Sequence, residues 1–299
     1  MWPWLLLSAL LALPTMAEAK PSPLGPWEVC SGALGPAGPI FTDCRELKGV
    51  IDPQGREIWL RAQVRPRTAA EADPMALYIS GATSSAFWMD GRLVGSNGVP
   101  AATAQAERPG RYDSAFPRFD TLWTKQGGQL VAQLSAFHTG MRFDAPVGGI
   151  WIERYPFRPQ QMNRLLAINF AAAGALLAAL FGFAAVFAMR RTGSSLTLAA
   201  MAGVAALQAG AETFRTLVRY DYPFHIWRMN AIWGLSATFA ILLVAFAGAR
   251  FLPRSRHGLL AFAVVVIPLT YLLPGFDGKS SIALLGANAQ SCQHAHYRF

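Results

Sequence analysis

The sequence predicts two unlike parts in one chain: an all-β sandwich, then an α-helical bundle that crosses a membrane. Three observations carry this. Residues 165–189 hold no charged side chain over roughly 25 positions, and a ~30 Å hydrocarbon core needs only about 20 helical residues. Ahead of that run the chain is polar and rich in turns, with short stretches of alternating apolar and polar residues; behind it lie mostly further apolar runs. The 299 residues are 53% hydrophobic and only 14% charged, which is too apolar for an ordinary soluble protein.

The net charge of +9 invites a nucleic-acid reading, which its distribution removes. Residues 20–163 carry 15 basic and 13 acidic side chains, whereas residues 164–299 carry 11 basic and 3 acidic. The excess sits between the apolar runs, where membrane insertion requires basic loops, so no nucleic-acid partner is needed.

The first 19 residues have an apolar core, Leu5 to Leu13, then Pro14 and the small pair Ala17 and Ala19 before Lys20. This is the pattern of a secretory signal peptide; because no basic residue precedes the apolar core, an uncleaved anchor is the other reading. Both place residues 20–160 outside the cytoplasm, which is the periplasm in a double-membraned bacterium. Residues 161–299 then form the membrane bundle.

Within the exported part, residues 57–64 alternate, with Ile58, Leu60, Ala62 and Val64 on one face, and residues 129–137 repeat the pattern with Leu130, Ala132, Leu134 and Ala136. Both predict half-buried strands. Shorter strands are expected at 76–80, 86–89, 92–95 and 151–155. Asp90-Gly91 supplies the positive φ of a tight hairpin between the middle pair. Short strands spaced by Gly and Pro imply an antiparallel sandwich. Cys30 and Cys44 are the only cysteines of this part. A disulfide closing such a loop would stabilise the fold by about 3 kcal/mol; two buried free thiols are the alternative.

One long loop, residues 96–113, breaks the strand pattern. Loops beyond about 12 to 15 residues are usually functional or disordered. This one brings Asn97, Glu107, Arg111 and Asp113 near Trp88, the polar and aromatic mixture that a sugar or small polar ligand needs. Structural packing is the competing reading, since Arg/Asp pairs also staple loops.

The runs Phe87-Trp-Met-Asp-Gly-Arg-Leu-Val-Gly95, Asn97-Gly-Val-Pro100 and Arg108-Pro-Gly-Arg-Tyr-Asp113 resemble the galactose-binding-like jelly roll found ahead of bacterial transmembrane sensors. Those sensors are the seven-transmembrane receptors with diverse intracellular signalling modules. The resemblance implies an exported jelly roll that senses a periplasmic ligand, without naming it, and a bundle in the bacterial inner membrane. It further implies signal transduction to a cytoplasmic output, commonly a GGDEF diguanylate cyclase or a histidine kinase.

In the membrane half four complete spans are expected, at about 165–189, 196–210, 226–249 and 258–274, with a partial fifth at 280–289. That last run is half the length of a span and passes into a polar tail, so the chain reads as the input half of a longer signalling protein, cut short by a frameshift or early stop. Arg190, Arg191, Arg250, Arg254 and Arg256 fall in loops on the side opposite the exported domain, as the distribution of basic residues in membrane proteins requires. Glu212, Arg215 and Arg219 are spaced i, i+3 and i+7, one helical face at a membrane boundary, where they either couple the sensor to the bundle or form a solvated interfacial pair. His225 and Trp227 read as interfacial anchors.

Catalytic signatures are missing: there is no Gly-Lys-Ser/Thr phosphate loop, Gly-x-Ser-x-Gly elbow, His-Glu-x-x-His helix or GGDEF sequence, and the five histidines are scattered. Cys292, His294 and His296 make weak metal ligands without a fourth. The expectation is a receptor input module with no enzyme activity, no cofactor and no metal of its own, whose partners are a periplasmic ligand and the membrane; a homodimer stays open as its assembly. A membrane-anchored periplasmic carbohydrate-binding or assembly protein is the alternative.

Overall fold

A computed structural model describes residues 22–269, apart from 37, 72, 141, 157–159 and 253. Among the described residues the polar half forms nine strands: β1 Glu28–Gly35, β2 Gly38–Glu46, β3 Glu57–Val64, β4 Met75–Gly81, β5 Ser84–Met89, β6 Arg92–Asn97, β7 Asp113–Phe116, β8 Gly128–Ser135 and β9 Val147–Arg154. They make a six-stranded sheet in the order β2-β1-β3-β8-β5-β6 and a three-stranded sheet β7-β4-β9, with every strand pair antiparallel.

Alternation explains the core. Ile58 and Leu60 of β3, Phe87 and Met89 of β5, and Leu130, Ala132 and Leu134 of β8 point from the large sheet onto Leu77 and Ile79 of β4 and Ile150 and Ile152 of β9. The two sheets therefore pack face to face across one apolar cluster. The β5–β6 turn falls at Asp90-Gly91 with φ of 48° and 78°, the positive pair that a two-residue hairpin turn needs.

The outer face of the large sheet departs from the half-buried expectation. Trp59 and Trp88 are also buried, 3% and 7% exposed, with ring centroids 5.8 Å apart. The reason is the β1–β2 hairpin, which carries no strong alternation in sequence. Beyond a register irregularity at Val29/Ser31 it folds over that face: Phe41 packs on the tryptophan pair, a Cβ at Gly32 would lie 2.4 Å from the Trp59 ring, and one at Gly38 would lie 3.1 Å from the Gly91 carbonyl oxygen. A Cys30–Cys44 disulfide ties the two strands of this hairpin together.

Four helices follow among the described residues: α1 Gln160–Arg190, α2 Gly193–Leu217, α3 Tyr222–Phe251 and α4 Arg256–Leu269. Three of them contain stretches long and apolar enough to cross a membrane: Leu166–Arg190 and the whole of α2 and α3, with mean hydropathies of 2.2, 1.3 and 2.0. The expected fourth span is described only as the 14 residues of α4. Its remainder, the expected fifth run, the signal peptide and the Cys292/His294/His296 set lie outside the described residues. The bundle described thus has three candidate spans where four complete ones were expected.

Each helix packs on the next. Two residues join α1 to α2 and four, 218–221, join α2 to α3, so neighbours run antiparallel. The α2–α3 turn is far shorter than the gap between the spans expected at about 196–210 and 226–249. The α2 helix continues through Glu212 and Arg215 to Leu217, and α3 begins at once because Pro223 sits in its first turn, where its missing N–H costs nothing.

Candidate functional site at the junction of sandwich and helices

The 96–113 loop and the 218–222 turn meet, and their contact is built first from backbone. The Tyr222 N–H donates to the Gly110 carbonyl (2.8 Å) and the Tyr112 N–H to the Tyr220 carbonyl (3.2 Å), with Arg111 opposite Asp221 as an antiparallel bridge. Asn97 holds the loop for this pairing. Its side-chain amide donates to the Arg111 carbonyl and its carbonyl oxygen accepts from the Arg111 N–H, both at 2.7 Å. The Ser84 hydroxyl accepts from the Gly110 N–H (3.1 Å) and donates to the Arg108 carbonyl (2.9 Å). Only glycine fits at 110, since a Cβ there would lie 2.4 Å from the Asn97 carbonyl oxygen.

Glu107 is the buried centre of the contact. Its carboxylate accepts from the Ser135 hydroxyl (2.9 Å), the Phe137 N–H (2.7 Å) and the Tyr222 hydroxyl (3.1 Å), while His138 Nε2 lies 3.7 Å away. Tyr222 is 0% exposed; its oxygen also accepts from the His138 N–H (3.0 Å), and its ring packs with Ala82, Ile226, Tyr112 and Phe143. The first residue of a helix long and apolar enough to span a membrane is thereby seated in the end of the sandwich.

Beside it stands a second, wetter group. Arg215 of α2 grips Asp113 with two nitrogens, each at 3.1 Å, reaches the Ser80 hydroxyl at 3.4 Å, and lies over the Tyr112 ring at 4.9 Å. Tyr112 stacks on His225 of α3 at 3.5 Å, and His225 Nδ1 shares a hydrogen bond with the Tyr220 hydroxyl at 3.0 Å. Burial raises the Tyr112 phenol above its ordinary value, with Arg215 pulling the other way; Tyr220 is raised for the same reason, against Arg228 and Arg215. Both phenols are therefore neutral at physiological pH, and the charge here is carried by the arginines and carboxylates. Arg215 and Asp113 remain 33% and 46% exposed, so water and solutes reach this pair.

The loop and helix residues singled out from sequence are thus brought together, but in different roles. Asn97 and Glu107 are buried with their hydrogen bonds made inside the protein, and Asp113 is paired with Arg215. The Arg111 side chain is exposed while its backbone makes the bridge. Trp88 is elsewhere, beneath the β1–β2 hairpin. Glu212 leans 3.7 Å from Arg228 of α3. Arg219 lies past the end of α2, exposed, so it does not continue a helical face with Glu212 and Arg215, and it has no ion pair among the described residues.

Sequence reasoning missed Tyr220, Tyr222 and Arg228, and read His225 as an interfacial anchor, whereas it is buried against the sandwich loop. The signal was present as Tyr220-Asp-Tyr222, two aromatics around an acid in a turn too short to need them. No group of three or more His, Cys, Asp and Glu that could hold a metal ion occurs among the described residues. Comparisons with models of known protein families and with curated proteins gave no match.

Proposed function

We propose that the chain is the input part of a membrane receptor: the sandwich, of the galactose-binding-like jelly-roll kind, faces the periplasm of a bacterium, and the state of its 96–113 loop is passed through the α2–α3 turn into the helices in the inner membrane. One observation carries this reading. The loop does not merely lie near the bundle; the Arg111/Asp221 bridge, the Glu107–Tyr222 hydrogen bond and the Asp113–Arg215 pair fasten it to the first residue of one apolar helix and the last turn of another. An anchor needs one span and no such fastening.

The Asp113–Arg215 pair is where a ligand would enter, because it is the solvent-reaching member of the contact. A periplasmic solute with a carboxylate or several hydroxyls would compete for Arg215 and so bind the docked and undocked states unequally, the condition for any ligand to shift a conformation. Basic residues at 190, 191, 250, 254 and 256 lie at the opposite ends of the helices, which matches a cytoplasmic output on that side.

Spin labels at Arg190 and Phe251, the far ends of α1 and α3, test the reading in lipid nanodiscs. Asp113→Asn or Tyr222→Phe should alter the distance distribution between them, although both substitutions sit at the other face of the membrane. An unchanged distribution in a protein that remains folded would favour a membrane-anchored binding or assembly protein.

A further inference from the structure

Between α1, α2 and α3 runs an apolar groove of about 820 Å³, a volume within the ~300–1,000 Å³ range of ligand sites. Its floor is the small-residue line Gly203, Ala206 and Gly210 of α2, and its walls include Leu180 of α1 and Trp227 of α3. At the end near the sandwich it is closed by Phe214, Phe224 and Arg228. Small residues on one helix would ordinarily invite a neighbouring helix to close up. Here no described residue comes within 4 Å of where a Cβ of Gly210 would stand, and Leu207 and Trp227 are 65% and 74% exposed, so the groove opens toward the lipid side.

Arg228 separates this groove from a plain gap. It is 7% exposed, six residues into α3, hence roughly 9 Å below the start of that helix. Its Nη1 donates to the Ala211 carbonyl at 2.9 Å and its Nη2 lies 3.5 Å from the Met229 sulfur, but Nε has no hydrogen-bond partner among the described residues. The nearest carboxylate, Glu212, stands 3.7 Å away and is 43% exposed. A buried guanidinium so loosely matched in an apolar setting calls for an acceptor oxygen. Arg215, one turn beyond Ala211 on α2, is already paired with Asp113.

The length of the groove names the occupant. From Gly203 to Phe214 is eleven residues, roughly 16 Å of helix, which is about half of a ~30 Å hydrocarbon core. The groove therefore runs from the bilayer midplane to the boundary nearest the sandwich and presents its cation at the boundary end. We infer that it holds one phospholipid of that leaflet, with an acyl chain along Gly203, Ala206 and Gly210 and the phosphate oxygens on Arg228. This places a bilayer component against the two helices that carry Arg215 and Tyr222, independently of any periplasmic ligand.

The full chain, extracted from membranes and washed through excess detergent, would be examined by native mass spectrometry and by phosphorus assay of the extracted lipid. About one phospholipid per chain is expected to remain, since the bound headgroup is held by charge-assisted hydrogen bonds. Gly210→Leu, which fills the groove while leaving Arg228 in place, should lower that retention about tenfold, and Arg228→Gln likewise, with Arg228→Lys in between because it restores charge without the fork. Circular dichroism of each variant confirms that its helices remain. Lipid-free wild-type protein would overturn the inference and leave the groove to a helix, from this chain or a second copy. Equal retention in wild type and Gly210→Leu, meaning loosely attached surrounding lipid only, would overturn it as well.

Discussion

Glu107 shows how one side chain can decide whether two parts of a protein behave as one. Three donors converge on its buried carboxylate, two from the sandwich and one from the helix. Glu107→Ala strands all three and should lower stability by about 3 kcal/mol, whereas Tyr222→Phe removes one donor and the acceptor of the His138 N–H and should cost about 2 kcal/mol. Thermal unfolding of the two variants in detergent checks the ranking, and equal effects would mean that Glu107 matters only through Tyr222. Glu71 is the acid-sensitive residue. Burial works to raise its carboxyl, but hydrogen bonds from Arg65 and from the Thr68 N–H and hydroxyl outweigh that and hold it at about 2, from an ordinary 4.5. A carboxyl depressed by folding contributes stability that is complete above its unfolded value and is lost as pH falls toward the folded one. The sandwich should therefore lose on the order of 2–3 kcal/mol between pH 5 and pH 2 through this group. Denaturant titrations followed by tryptophan fluorescence should show a smaller loss over that interval for Glu71→Gln; parallel curves would count against it.

At the scale of elements, the β1–β2 hairpin is the part whose removal changes most. It covers the Trp59–Trp88 stack, and the Cys30–Cys44 bond ties its strands. Reduction should destabilise the sandwich by about 3 kcal/mol and let a soluble quencher reach tryptophan emission; unchanged quenching would show that the hairpin stays down by packing alone. This cover was not legible in the sequence. Residues 57–64 announce a strand through Ile58, Leu60, Ala62 and Val64, but nothing in alternation tells that Trp59, on the other face, will be roofed by the hairpin that precedes it. The Asp90-Gly91 turn and the long apolar helices were legible because each rests on a local rule, a positive φ or a run of length. The ends of α2 and α3 were not, because Glu212 and Arg215 sit inside α2, where Arg215 is paired with Asp113 from the sandwich and Glu212 lies 3.7 Å from Arg228 of α3.

For the whole molecule, the junction between sandwich and helices is the central feature. Its members come from residues 80 to 138 and 215 to 225, and only the fold brings them together. Exchanging Asp113 and Arg215 as a pair should restore more stability than either single exchange, by about 1 kcal/mol for a half-exposed pair; additivity would say that the two do not interact in the membrane-bound protein. The most direct measurement is a covalent one. Arg111 and Asp221 face each other in an antiparallel bridge, where Cα atoms stand roughly 4.5–5.5 Å apart, within the reach of a disulfide. With cysteines at both positions in the membrane-embedded full chain, mild oxidation should join them in high yield, visible after cleavage of the chain between them as fragments that separate only on reduction. A control pair at positions 111 and 219 should join far less. Fragments that separate without reductant, or equal yields from the two pairs, would contradict the docked junction on which the account rests.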